Sequence, residues 1–357
     1  MNKHLRMYGP VIAAAVAVVV LQLALSASHA PYYMTQVTMS VYYALVVLGL
    51  CLLMGYAGQA SLGHAGFFAV GGYTAAVMTT CNLNAYRDAA LIGWCRSVGL
   101  LIEKQDLYGH PMLCFSPWPA CITALVLTGL VALLIGVPVI RLKGHYLAMA
   151  TLGFGLIIHR IVQGAQVFGQ ADGISNVPPF QLFGDLEVNG RAAFRVQNYY
   201  IAWTVALVAL VLAINLVHSR VGRALRSIHE NEEAAHSLGV NTYRYKLATF
   251  VLSALFAAMG GILLTHYNGS IGPSEVSVMK SVRYVAIVAV GGMANLWGAM
   301  LMGVLLSFLS LRGVFGTYDD LVFGAILIVM MLFASEGLLR MPNWRALRAR
   351  LQGKPHG

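Results

Sequence analysis

Gln59, Ser61 and His64 are the polar groups best placed to do something in this chain, because they sit inside an otherwise small and apolar stretch, GYAGQASLGHAGFFAVGGY, at residues 55–73. A hydroxyl, an amide and an imidazole at that spacing can exchange hydrogen bonds with another helix or line a path for a polar solute. At membrane depth each needs a partner or a water-filled cavity. Both readings stand for each residue taken singly, and the segment as a whole is read as part of a path. Gly58, Phe67 and Tyr73 of the same stretch join the path candidates, as do Thr151 and Phe154 of the later TLGFG stretch.

A second constellation lies at Gly222 to Gly239, GRALRSIHENEEAAHSLG, a charged segment between two long apolar runs. Residues 223–238 suit a helix, with Gly239 at a natural C-terminal stop. Leu225, Ile228 and Ala235 recur at helical spacing as an apolar stripe. Arg223, Arg226, Glu230 and Glu233 mark the charged side, with Arg226 and Glu230 at i, i+4. Ala234 and Ala235 allow close approach. Such a helix fits a groove on a soluble partner; the alternative is a helix resting on lipid headgroups. The acids Glu230, Glu232 and Glu233 argue against an anionic surface.

The elements that must hold these groups are membrane helices. The 357 residues are 59% hydrophobic and 10% charged, with mean hydropathy +0.72, whereas a soluble domain carries about a quarter charged residues. The 37 glycines suit close helix packing in lipid. Unbroken apolar runs exclude a β-barrel, whose strands alternate. The fold class is therefore all-α, a polytopic helix bundle of about ten transmembrane spans. They lie near 9–28, 35–54, 56–80, 118–140, 145–167, 199–218, 243–264, 278–293, 296–311 and 318–335. A helix over 56–80 would align Ala57, Ser61, Ala65 and Ala69 as a small-residue stripe. Lys3 and Arg6 before Val11–Leu25, with Ser28-His29-Ala30 after it, resemble a signal peptide; the segment is read as a retained first span.

Charge sets the orientation. The chain has 23 Lys and Arg against 13 Asp and Glu. With the N-terminus inside, the basic excess falls on the inner segments, including the tail 341–357, while acids nearly balance bases in the external loops 81–117 and 168–198, as the positive-inside rule requires. Joining the eighth and ninth spans would put the Arg-rich tail outside, so Gly291-Gly292 and Gly298 are read as separating two helices. Arg160, Lys280 and Arg283 read as cations anchoring outer helix ends. The positive net charge needs no nucleic-acid partner. No P-loop, metalloprotease, nucleophile-elbow or Cys/His metal motif is present, so neither ATP hydrolysis nor metal chemistry is expected of this chain. Acids are scarce in the spans, which disfavours a proton-coupled carrier.

These residues resemble the branched-chain amino acid ABC permease family. The likeness is carried by GYAGQASLGHAGFFAVGGYTAA (55–76), RLKGHYLAMATLGFG (141–155), QADGISNVPP (170–179), the segment 222–263 and VGGMANLWGAMLMG (290–303). It implies a permease domain over 1–340 of a bacterial inner membrane, with both termini cytoplasmic. A second homologous permease, two cytoplasmic ATPase subunits that bind ATP and magnesium, and a periplasmic solute-binding protein are the implied partners. Arg223, Arg226, Glu230, Glu233, Ala234, Ala235 and Gly239 would then couple to an ATPase, with no cofactor or metal in this chain. Leu, Ile or Val is the expected solute. Urea, short amides or other amino acids are the alternative, and a channel or secondary carrier is the reading outside the class. The 81–117 segment is longer than the family pattern, and Asn241-Thr242-Tyr243 replaces the Ile-x-Leu-Pro tail of some other importers. On an oxidising outer face, Cys81, Cys95, Cys114 and Cys121 read equally as holding a disulfide or as free residues of a loop.

Overall fold

The computed structural model describes residues 3–27, 32–84, 93, 96–97, 99–105, 111–142, 144–184 and 186–333. The tail 341–357, Cys95 and Ser28-His29-Ala30 lie outside them. The helices are α1 (Lys3–Ala27), α2 (Tyr32–Cys51, running on as a π-turn over Leu52–Tyr56), α3 (His64–Thr80), α4 (Pro117–Val139), α5 (His145–Gly164) and α6 (Arg195–His218). Then come α7 (Arg220–Glu230), α8 (Glu232–Ser237), α9 (Thr242–Asn268), α10 (Val278–Gly291), α11 (Leu296–Leu311) and α12 (Asp319–Phe333).

Among the described residues, six helical segments are long and apolar enough to cross a membrane: Gly9–Ala27, Tyr32–Tyr56, Pro117–Val139, His145–Gly164, Ala192–His218 and Thr242–Asn268. Helices α3, α10 and α11 also fall on expected runs but have 17, 14 and 16 residues, short of the about 20 that span a bilayer unaided; α12 falls on the last expected run and is described up to Phe333. The cause of two short lengths is visible. Residues 58–63 are not helical, because Gly58 adopts φ +65° and turns the chain before α3 begins. The expected stripe is thereby corrected: Ala65 and Ala69 lie on α3, whereas Ala57 closes the preceding helix and Ser61 lies in the turn between them. Gly292, at φ +94°, likewise separates α10 from α11, and Asn295 caps α11 by accepting from Gly298 N at 3.1 Å. The eighth and ninth runs are thus two helices.

Helix α2 is the centre of the bundle. The window within Tyr32–Tyr56 is 94% buried, against 6% for Gly9–Ala27 at the periphery. It packs on α6, α9, α10 and α11, and α9 in turn packs on α3 and α4. Small residues make this possible. A Cβ on Gly261 would lie 2.1 Å from Phe68 O, one on Gly71 2.7 Å from Ala258 Cα, and one on Gly260 2.6 Å from Tyr42 O. Helix α1 is held to α6 by Tyr199, whose hydroxyl donates to Val18 O at 2.9 Å.

The segments between helices add short strands that the all-α expectation did not contain. Strands β1 (Leu101–Gln105) and β2 (Pro111–Phe115) form an antiparallel hairpin with Leu101 opposite Phe115. Ile174–Ser175 pairs with Ser270–Ile271, so the segment between α5 and α6 grips the turn after α9. The Asp172-Gly173 turn permits this, because a Cβ on Gly173, at φ +71°, would lie 2.2 Å from Ile271 O. Cys81 is exposed, Cys114 and Cys121 are buried, and no disulfide joins these three to one another.

The α3–α9 crossing leaves no room at Gly261. Gly261→Val should therefore destabilise the protein by about 2 kcal/mol or more through overpacking, measured as a shift in the SDS-unfolding midpoint in micelles; an unchanged midpoint would contradict the close approach.

Candidate functional site

The charged segment forms a platform at one end of the bundle. Ser219 opens it: its Oγ accepts from Val221 N at 3.1 Å and Gly222 N at 3.4 Å. Gly222 is required at this corner, since a Cβ there would lie 2.1 Å from Val217 O. As expected, Leu225, Ile228 and Ala235 are buried, while Arg223, Arg226, Glu230, Glu233, Ala234 and Gly239 face outward. The single expected helix is instead two. Asn231 leaves the helical region at φ −156°, ψ 104°, and its Oδ1 caps α8 by accepting from Ala234 N at 3.0 Å. An Asn side chain competes with the helix for backbone donors, so a break at this point satisfies it.

Charges on the platform are used locally. Arg226 does not pair with Glu230; its Nη2 donates to Val217 O at 2.7 Å, closing the C-terminal end of α6. Glu232 pairs with Lys246 of α9 at 2.5 Å, which ties α8 to the bundle. Glu232 and Glu233 occupy the first turn of α8 and His236 the last, the arrangement a helix dipole favours. Beyond α8, Leu238 is 84% exposed beside Gly239, which takes φ +84°. An apolar tip on a charged platform is a surface that a protein groove can take.

The platform touches the break between α2 and α3. A Cβ on Gly58 would lie 2.9 Å from His229 Nδ1 of α7, and one on Gly55 would lie 1.3 Å from Met293 O in the α10–α11 turn. Tyr56 donates to Ala294 O at 2.7 Å. The glycines thus let the His229 ring and the α10–α11 turn approach the chain closely at this point. His229 was not singled out in the sequence; nothing in its neighbours indicates that it abuts a glycine some 170 residues earlier.

The break itself is held by side chains from three other helices. His64 lies between Ser61 Oγ, 3.1 Å from Nδ1, and Ser253 Oγ of α9, 2.6 Å from Nε2. Thr151 of α5 accepts from Leu62 N at 3.0 Å, and Ser281 of α10 accepts from Ala65 N at 3.2 Å. Phe67 packs on Phe154 and Phe250 with ring centroids 4.7 and 5.5 Å away. The path candidates Gly58, Gln59, Ser61, His64, Phe67, Thr151 and Phe154 therefore gather in one cluster. Ser61, His64 and Thr151 act there as interhelical hydrogen bonders. Gln59 is 2% exposed, and neither polar atom of its side chain has a partner. Tyr73 lies apart, packed with Val276 and Ile271 near the opposite end.

That opposite end holds an ionic group the span-by-span reading passed over. Lys280 pairs with Glu275 at 3.2 Å. Arg283 pairs with Asp319 and Asp320, each at 3.1 Å, and donates to Ser310 Oγ at 2.6 Å. These two cations are cross-links between segments and do not merely anchor helix ends. Arg160 is exposed, as a lipid-facing anchor would be.

Gly58→Ala should destabilise through its left-handed backbone and through contact with His229, by about 1 kcal/mol or more. Adding His229→Ala should recover the contact part, giving a coupling of about 0.5 kcal/mol or more in a double-mutant cycle read by unfolding. Strict additivity would mean that the two residues do not meet.

Comparison with known proteins accords with this geometry. A family model described as branched-chain amino acid transport system / permease component matches residues 32–331. The high-affinity branched-chain amino acid transport system permease protein LivM of Salmonella typhimurium is 32% identical over 85% of this chain and 69% of its own length. LivM of Escherichia coli is 30% identical over the same shares, and LivH of Escherichia coli is 26% identical over 86% of this chain and 94% of its own. No solved structure matches. The chain belongs to the family of permease components of branched-chain amino acid transport systems.

Proposed function

We propose that this chain is the membrane permease subunit of an ATP-driven importer that moves branched-chain amino acids across the bacterial inner membrane. The observation that carries the proposal is the α7–α8 platform, an exposed charged and apolar surface locked to the bundle in a chain of this family. The platform docks a cytoplasmic ATPase through Glu233, Ala234 and the exposed tip at Leu238 and Gly239, while the buried Ala235 seats the helix on the bundle. Two such ATPases hold ATP and magnesium, so the permease itself carries no catalytic group. A second, homologous permease completes the path, and a periplasmic binding protein delivers solute to the external loops.

The bundle crosses the membrane about ten times, the shorter helices α3, α10 and α11 and helix α12 included, with both termini cytoplasmic. Segments assigned to the inner side meet one another: His229 abuts Gly58 and Tyr243 donates to Val137 O at 3.2 Å. Segments assigned outside do the same, as in the pairing of Ile174 with Ile271 and the donation from Trp118 Nε1 to Leu182 O at 3.2 Å.

Glu233→Arg should remove ATPase co-purification and reduce leucine uptake in proteoliposomes to background while the chain remains inserted; full uptake in that variant would end the docking role. Uptake by this chain without ATPases would end the whole reading. Single cysteines at 99–103 should react with an impermeant reagent from outside and those at 225–240 only from inside, and the reverse pattern would overturn the orientation.

A further inference from the structure

A polar pocket of about 200 Å³ opens between the C-terminal end of α9 and the turn that follows it. Its lining includes Thr265, Asn268, Ser270, Ser274 and the Glu275 carboxylate, with Phe68 of α3 beside them. Glu275 also faces inward. Its oxygens accept from Tyr43 OH of α2 at 3.1 and 3.0 Å and from Lys280 Nζ at 3.2 Å each. Lys280 Nζ stands 4.6 Å from the centroid of the Tyr43 ring, which in turn stacks on Phe68 at 5.9 Å. An ammonium group therefore already rests against a carboxylate and an aromatic face, the combination that recognises such cations.

Three features point to a ligand beyond a structural staple. The Lys280–Glu275 contacts are longer than the about 2.7–2.9 Å of a tight charge-assisted hydrogen bond. Both side chains keep 20% exposure, so the carboxylate can be reached and the lysine stem can swing out. The volume is below the about 300 Å³ at which pockets take a whole drug-sized ligand, and the hydroxyls and amide of the lining suit a head group whose side chain stays outside.

We propose that this pocket is a solute site in which Glu275 takes the α-ammonium group of an amino acid, displacing Lys280 from the carboxylate. The inference rests on the amino-acid importer reading and adds to it a contact that reads the head group common to amino acids. Tyr43 holds the carboxylate in place, and Lys280 neutralises it while the site is empty, so Glu275 is never left as a partly buried uncompensated charge.

The test is equilibrium binding of radiolabelled leucine to the purified importer complex in nanodiscs, without binding protein or nucleotide. Leucinol, which keeps the ammonium group, should compete; 4-methylpentanoate, which keeps only the carboxylate, should not. Glu275→Gln should weaken leucine binding more than tenfold. Lys280→Met should tighten it severalfold, because the tethered competitor is gone. A staple without ligand role predicts that both variants fail alike. That result, competition by 4-methylpentanoate equal to that by leucinol, displacement by potassium ions at fixed ionic strength, or no leucine binding by the unaltered complex would each overturn the proposal. Leucine uptake into proteoliposomes by the unaltered importer with its binding protein is the separate measurement on which the transport reading stands or falls.

Discussion

Everything in this bundle depends on how one interruption of helix is satisfied inside it. Lipid offers no hydrogen bonds to open backbone, so non-helical chain at depth survives only where protein supplies the partners. Between Tyr56 and His64 those partners come from helices distant in sequence: Thr151 accepts from Leu62 N, and Ser281 accepts from Ala65 N at the start of α3. The imidazole of His64 bridges Ser61 to Ser253. The polar residues that stand out in the sequence are thus the fasteners of a break, and they set the positions of α3, α5, α9 and α10 relative to one another.

The same break joins the bundle to its platform. The His229 ring of α7 abuts Gly58, and the neighbouring Gly55 abuts the backbone of the turn between α10 and α11, so platform, break and turn lie in close contact. Close-packed interiors resist displacement. Tight glycine contacts therefore tie the platform to the bundle.

The other end is organised by charge. Lys280–Glu275 and Arg283 with Asp319 and Asp320 fix the turn after α9 and the start of α12 to α10. The strand pairing of Ile174 with Ile271 lays the segment between α5 and α6 over the same turn. Partly enclosed ion pairs are costly to break by removing one partner, so this end is held by a few strong cross-links while the platform end is held by close glycine contacts.

Composition and run length alone established the helical class and the positions of the apolar helices, because burial in lipid demands long apolar stretches and leaves a signal in every window. The stripe of Leu225, Ile228 and Ala235 was equally legible, since a helix face is a matter of spacing within one segment. The non-helical turn at 58–63, the Asn231 break and the redirection of Arg226 to Val217 were decided by tertiary structure. Each depends on which distant group competes for a local donor or acceptor. Glu275 shows the same limit: an acid between two helices reads as loop until the fold folds that loop back against Tyr43 and Lys280. Periodicity records what a residue's own element requires, whereas pairing energy is assigned only when elements far apart in the chain are brought within hydrogen-bonding distance.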